Sequence, residues 1–262
     1  MSKVNVKLMG GLGNYLFQIA STYCYGLHHN KELVFTSDDS IMVHKNVLTY
    51  CDNILSKIHI QPNTNISYTT YQEPHYHHVD TPQIDGDVRL SGYFQSEKYF
   101  IGYSDKVRDL FEFPKDLIDV VKNRYTDMLS KETCSIHVRR GDYLTNPDVH
   151  PTQSVDYYRE AITHMSKGIT LVIFSDDIPW CVEHLGDLSE NIVFIDGNPD
   201  YIDLLLMSLC DNNIICNSSF SWWGAWLNRN KNKVVISPKN WFGPSLSDHN
   251  TCDIHCEGWL VL

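Results

Sequence analysis

Thr133-Cys134-Ser135-Ile136-His137-Val138-Arg139-Arg140-Gly141-Asp142 is the stretch on which the fold turns. A largely apolar run, Thr133 to Val138, ends abruptly in two arginines, a glycine and an aspartate, as a buried strand entering a polar turn does. The pattern recurs downstream. Ile169 to Phe174 ends in Ser175-Asp176-Asp177, Asn191 to Ile195 in Asp196-Gly197, and Asn213 to Cys216 in Asn217-Ser218-Ser219; Lys233 to Ile236 is a further strand. Helical spacing fills the gaps: 154–166 with Tyr157, Tyr158, Ala161, Ile162 and Met165, then Tyr201 to Leu209, then Ser221 to Asn228. Apolar strands alternating with helices predict a parallel sheet covered on both faces. Such sheets bind ligands at the carboxyl ends of their strands, and here three of those ends carry polar clusters.

Upstream, residues 3–9 alternate polar and apolar and reach Gly10-Gly11-Leu12-Gly13-Asn14. Leu16, Phe17, Ile19, Ala20, Tyr23, Cys24 and Leu27 follow at helical spacing, then the apolar core Leu33-Val34-Phe35. Strand, turn, helix and strand in that order open an α/β domain. Arg89 to Phe94 reads as a strand followed by a helix from about Ser96. Leu117, Val121, Tyr125 and Met128 mark a helix from about Pro114 to Lys131. Residues 40–88 read as irregular, with short strands. These elements place a domain boundary near residue 130, giving domains 1–130 and 131–262.

The chain has 262 residues, 42% hydrophobic and 20% charged, an ordinary globular composition. Its net charge of −11, from 21 basic and 32 acidic residues without a basic run, argues against nucleic-acid polymers and anionic membranes as partners. The eight cysteines are scattered, mostly in apolar runs, which predicts reduced thiols rather than a disulfide framework. The N-terminal stretch has no long apolar run, so no signal peptide is expected. No run of about 18 apolar residues predicts a membrane span. The simplest address is a reducing cytoplasm.

Alternation puts His137 and Arg139 on one face of their strand. Arg139 and Arg140 present planar, permanently charged forks matched to phosphate oxygens. The competing reading is a structural salt bridge, with Asp142 or another acid pairing both. At Gly10-Gly11-Leu12-Gly13-Asn14, Gly11 and Gly13 would let backbone N–H groups approach a ligand at a helix N-terminus. The run lacks the G-x-G-x-x-G spacing of a dinucleotide fold and has no Walker lysine, so a tight turn capped by Asn14 is the simpler account. Ser218, Ser219 and Phe220 open a helix whose hydroxyls and N–H groups suit a phosphate; a plain cap formed by Ser221 is the alternative. Trp222, Trp223 and Trp226 behind them read as core. Asp203, in an otherwise apolar helix, either meets guanine N–H donors or is a solvated carboxylate favoured by the helix dipole. Asp85-Gly86-Asp87, the cluster His75/His77/His78 and the cluster Cys252/His255/Cys256 do not match standard metal spacings and read as polar loops, so no metal site is predicted.

Together these blocks resemble glycosyltransferase family 11, the α-1,2-fucosyltransferases. Gly10 to Gln18 is similar to that family's N-terminal motif, with Tyr15 where Gln is usual. Ser91 to Phe100 is similar to its aromatic-rich second block, and His137 to Asp142 to its H-x-R-R-x-D motif. Phe174-Ser175-Asp176-Asp177 and Asn217 to Trp226 complete the set. The resemblance implies a GT-B-like α/β fold of two Rossmann-like domains facing a central cleft. It implies domain 1–130 on the acceptor side and domain 131–262 binding GDP-L-fucose as donor substrate, with no metal or other cofactor. Partners would then be GDP-fucose and a glycan or glycoside acceptor. Arg139 would bind the β-phosphate, His137 would lie at the nucleotide, and Arg140, Ser218, Ser219 and Phe220 would line the phosphate side. Asp203, keeping the family's interval before Ser219, would read guanine, and Asn14 would reach the cleft. Transfer would invert the donor's β linkage and so needs a base; Asp142 is the candidate unless it holds Arg140. Residues 40–88 carry no family block, so the acceptor is not named. Transfer with another linkage (α-1,6 or O-fucosyl) and non-catalytic nucleotide-sugar or glycan binding are the alternatives.

Overall fold

Thr133–Val138 forms strand β9 at the centre of a six-stranded sheet in the computed structural model, which describes residues 1–36, 41–43, 45–61 and 66–262, the backbone alone for 41–43. Two compact units emerge: Met1–Pro114 with His249–Cys256, and Lys115–Asp248 with Glu257–Leu262. The boundary therefore falls at Pro114, not near residue 130. Two helices, α3 (Lys115–Arg124) and α4 (Thr126–Leu129), explain the difference. The junction residue Tyr125 breaks the helix expected over 114–131, and its hydroxyl accepts a hydrogen bond from Asn198 Nδ2 at 2.8 Å within the second unit.

After β9 the second unit runs α5 (Val155–Ile162), β10 (Thr170–Ser175), α6 (Ile178–Leu185), β11 (Ile192–Ile195), α7 (Asp200–Leu209), β12 (Asn212–Ile214), α8 (Ser219–Leu227), β13 (Val235–Ser237) and β14 (Leu260–Val261). The sheet order is β11-β10-β9-β12-β13-β14, with every pairing parallel. That is the doubly wound order, and sheet growth reverses between β9 and β12. Cys134, Ile136 and Val138 point into a core with Tyr157, Tyr158, Ala161, Ile173, Cys181 and Leu185. Ser135 faces the other way and takes a 2.7 Å hydrogen bond from Asn213 Nδ2. Side chains start the helices: Ser154 Oγ accepts from Tyr157 N and Asp177 Oδ1 from Trp180 N. Ser218, not Ser221, caps α8. β14 lies in the short apolar run Trp259-Leu260-Val261-Leu262, beyond the last strand expected from the sequence.

The first unit is described by β1 (Lys3–Val6), β2 (Met9–Gly10), α1 (Leu12–His29), β3 (Glu32–Leu33), β4 (Phe35–Thr36), β5 (Ile41–Val43), β6 (Ile60–Gln61), β7 (Thr69–Gln72), β8 (Val88–Ser91) and α2 (Ser104–Leu110). Its main sheet is parallel, in the order β3-β1-β8-β7, with two-stranded pieces β2-β5 and β4-β6 beside it. The Leu33-Val34-Phe35 core is thus split between two sheets. β8 stops at Ser91 rather than Phe94 because the half-buried Glu73 carboxylate draws off the next backbone donors. Tyr93 N and Phe94 N bind it at 2.7 and 3.0 Å, and Phe94 is held at φ +52°. Two 3-10 turns, Glu97–Tyr99 and Ile101–Tyr103, replace the helix expected from Ser96, before α2 begins. Within 40–88 the irregular reading meets short elements, β6 and β7 among them; residues 40, 44 and 62–65 of it lie outside the described residues.

Candidate active site

The carboxyl edge of the second sheet collects the polar clusters. His137 is the penultimate residue of β9, and Arg139, Arg140 and Asp142 follow the strand. Asp176 and Asp177 follow β10, Asp203 stands in the first turn of α7 after β11, and Ser218, Ser219 and Phe220 begin α8 after β12. The reversal between β9 and β12 puts the His137–Arg139 turn and the α8 N-terminus on either side of a switch point, where doubly wound sheets bind ligands. The four N–H groups of a helix's first turn have no partner within the helix, so anions are favoured there.

The two arginines have separate partners. Arg139 Nη2 lies 2.6 Å from Asp142 Oδ1 and Nη1 lies 2.9 Å from Asp176 Oδ2, so a carboxylate holds each arm of the fork through one of that nitrogen's two N–H groups. Burial opposes the Arg139 charge, but Asp176 and Asp142 outweigh it and hold its pKa above the ordinary arginine range. Arg140 donates from Nε to Asp177 Oδ2 at 3.0 Å, and its guanidinium lies 3.9 Å above the Trp180 ring. Asp142 therefore holds Arg139, not Arg140. Asp176 Oδ1 also accepts the backbone N–H of Arg140 at 2.9 Å. Gly141 leaves room for that carboxylate: a Cβ there would lie 2.7 Å from Asp176 Oδ2.

His137 is buried, its ring 5.5 Å from that of Phe220. Burial first, and the neighbouring Arg139 charge second, push its pKa down to about 3, so the imidazole is neutral near pH 7. Its Nδ1 meets Cys216 Sγ at 3.1 Å. Asp203 Oδ1 accepts from Asn198 Nδ2 at 3.0 Å, the same amide that meets Tyr125. The polar setting suits either reading of this carboxylate.

Asn217 has a structural role. Its Nδ2 donates to the Pro151 and Trp241 carbonyls, its Oδ1 accepts from Gln153 Nε2, and its own carbonyl accepts the Tyr143 hydroxyl. These bonds fix the loop that carries Ser218. Asp176, Tyr143 and Cys216 support the site but were not singled out from the sequence. In the sequence Asp176 is only part of a polar strand end, Cys216 only the end of an apolar strand, and Tyr143 belongs to no stretch that signals a role. Trp222, Trp223 and Trp226 are buried together, as core residues.

Gly11, Gly13 and Asn14 belong to the first unit. Gly11 caps α1 in extended backbone and Gly13 lies in its first turn; the left-handed residue is Gly10, at φ +82°. A Cβ on Gly10 would run into the Asn14 amide. Asn14 is not the helix cap. Its Oδ1 accepts from Gln95 Nε2 at 2.7 Å, and Gln95 Oε1 accepts the Tyr76 hydroxyl, tying the N-terminal block to the aromatic one. Asp85-Gly86-Asp87 is a polar turn: Asp87 accepts Lys3 N and the Gly86 carbonyl accepts Lys31 Nζ. His75 and His77 stack on one another, and the His78 N–H bonds Asp253. Among the described residues no three His, Cys, Asp or Glu side chains are grouped to hold a metal ion, and no helix is long and apolar enough to cross a membrane. All eight cysteines are unbridged.

The chain is similar to known proteins in sequence and in fold. The chain is 28% identical over 295 aligned positions to the α-1,2-colitosyltransferase of Escherichia coli, covering 99% of each protein. It is 29% identical to a galactoside 2-α-L-fucosyltransferase of Caenorhabditis elegans, over 86% of this chain and 68% of the other. Its fold is similar to the crystal structure of NodZ α-1,6-fucosyltransferase soaked with GDP-fucose: TM-score 0.59 at 12% identity, over 87% of this chain and 93% of that one. Two α/β units with parallel sheets make the fold GT-B-like. The family described as glycosyl transferase family 11 matches residues 1–262, the whole of the sequence. With its H-x-R-R-x-D turn at the sheet's switch point, the chain belongs to glycosyltransferase family 11.

Proposed function

We propose that the chain transfers L-fucose from GDP-β-L-fucose to the 2-hydroxyl of an acceptor sugar, a galactoside, with inversion to an α-1,2 linkage. The observation that carries this reading is the Arg139 fork, 2.6 Å from Asp142 and 2.9 Å from Asp176, at the switch point that the α8 N-terminus shares. Breaking the bond between fucose C1 and the β-phosphate oxygen leaves negative charge on GDP and an oxocarbenium-like sugar. Arg139 and the α8 N–H groups are preorganised donors for that charge, and fixed donors stabilise a transition state without reorganisation. His137, Ser218, Ser219 and Phe220 line the same edge, and Asp203 reads the guanine. Arg140 acts by keeping its neighbour in place, through Asp177 and Trp180. In the first unit, Asn14, with Gly11 and Gly13 in the turn that carries it, serves the acceptor side.

The α-1,2 linkage is supported by the names of the two relatives. An α-1,6 or O-fucosyl product is the second reading; the likeness to NodZ, at 12% identity, bears on fold alone and does not choose between the linkages. The colitosyltransferase, matched over 99% of both chains, favours a further donor. Colitose is L-fucose without its 3-hydroxyl, so both donors present the same diphosphate to Arg139. Incubation with GDP-fucose or GDP-colitose, a galactoside and EDTA tests the reading. Fucosylated product formed in EDTA and lost in Arg139→Ala supports it; a rate unchanged by that substitution sinks the site assignment.

A further inference from the structure

Cys216 is buried two residues beyond the end of β12, in an apolar run of the sequence. Its Sγ lies 3.1 Å from His137 Nδ1 and 3.9 Å from Ser221 Oγ, in the first turn of α8. The thiol thus joins the two elements flanking the switch point. The other ring nitrogen of His137, Nε2, has no protein partner among the described residues.

A neutral imidazole carries one proton, and the bond at one nitrogen decides which nitrogen holds it. If Nδ1 kept the proton, Nε2 would present a lone pair and repel an anionic oxygen. If the thiol donates to Nδ1, the proton sits on Nε2 and the open nitrogen is a donor. Burial pushes the Cys216 thiol up to about 12, so its S–H is present to donate. Ser221 Oγ donates to the Ser218 carbonyl at 3.3 Å and lies 3.9 Å from the sulfur, so its own proton does not compete for the His137 ring.

We propose that Cys216 is a positioning residue that fixes His137 as the Nε2–H tautomer, making its open nitrogen a neutral hydrogen-bond donor to an oxygen of the donor nucleotide. The proposal rests on the GDP-sugar reading for the identity of that oxygen, but the tautomer does not depend on it. A neutral donor at this place adds a directional contact without a third positive charge beside Arg139 and Arg140.

The test uses the ligand-free protein and GDP as probe. Nitrogen-15 correlation spectra of the His137 ring at pH 7 are expected to show the Nε2–H form in wild type and Cys216→Ser, and a mixture in Cys216→Ala. The KM for GDP-fucose is expected to rise about tenfold in the alanine variant and to recover in the serine variant, the size of one lost hydrogen bond to a charged group. Melting curves and circular dichroism show whether each variant is folded; if alanine does not fold, the wild-type and serine spectra decide. An Nδ1–H ring in wild type overturns the proposal, as does an alanine variant with the tautomer and KM unchanged. A protein with the expected tautomer that fails to bind GDP refutes the donor reading and leaves the thiol's role standing.

Discussion

Arg139 and Asp176 face each other across adjacent parallel strands, Nη1 to Oδ2 at 2.9 Å, while the other oxygen of the same carboxylate holds the Arg140 backbone N–H. One side chain thus fixes the turn and aims the guanidinium. Asp176→Ala should remove both bonds, leave Arg139 with Asp142 alone and cost about 2 kcal/mol of stability. Urea unfolding of wild type and variant measures this, and equal midpoints would contradict the role assigned to Asp176.

The two adjacent arginines should separate in mutagenesis. Arg139→Lys keeps a charge but loses the planar fork, and should weaken GDP binding by about tenfold or more. Arg140→Ala loses the Asp177 pair and the Trp180 stack. It should lower the melting temperature by about 2–6 °C and change GDP affinity less than Arg139→Lys does. Calorimetric titration beside thermal melts makes the comparison; the reverse ranking would exchange their roles.

His137 predicts a direction of pH dependence. Its pKa of about 3 in the folded chain lies below the ordinary 6.5. Between those values the unfolded state takes up the proton and the folded state does not, so the stability from neutral His137 is present above about pH 6.5 and is lost as the pH falls toward 3. His137→Gln should flatten part of the fall in melting temperature between pH 7 and pH 4. Parallel curves for the two proteins would show that the ring charges freely in the folded state.

Gln95 is expected to act through Asn14. Removing the 2.7 Å bond by Gln95→Ala should raise the KM for the acceptor about fivefold, with GDP affinity unchanged. A change confined to GDP would move Asn14 to the donor side.

The second unit was the more legible of the two. β9 is buried along its whole length and β10 along all but its last residue, and both show their ends where charged residues begin. The first unit resisted because its breaks come from distant partners. Glu73 ends β8 from 20 residues away, and nothing near Phe94 announces a left-handed residue. In the site, Arg139 stood out by type and place. Its partners did not, because which of three nearby aspartates meets which arginine depends on the β9–β10 register. Cys216 was hidden for another reason: a thiol inside an apolar run is indistinguishable from packing until the ring beside it is seen.

Linkage analysis of the product tests the central claim most directly. Wild-type protein incubated with GDP-fucose, a β-galactoside and EDTA should yield one new disaccharide. Its NMR spectrum should show an α-fucosyl anomeric proton correlated to galactose C2, and the product should be absent with Arg139→Ala. Fucose on any other carbon, or GDP release without a glycoside, would contradict the account.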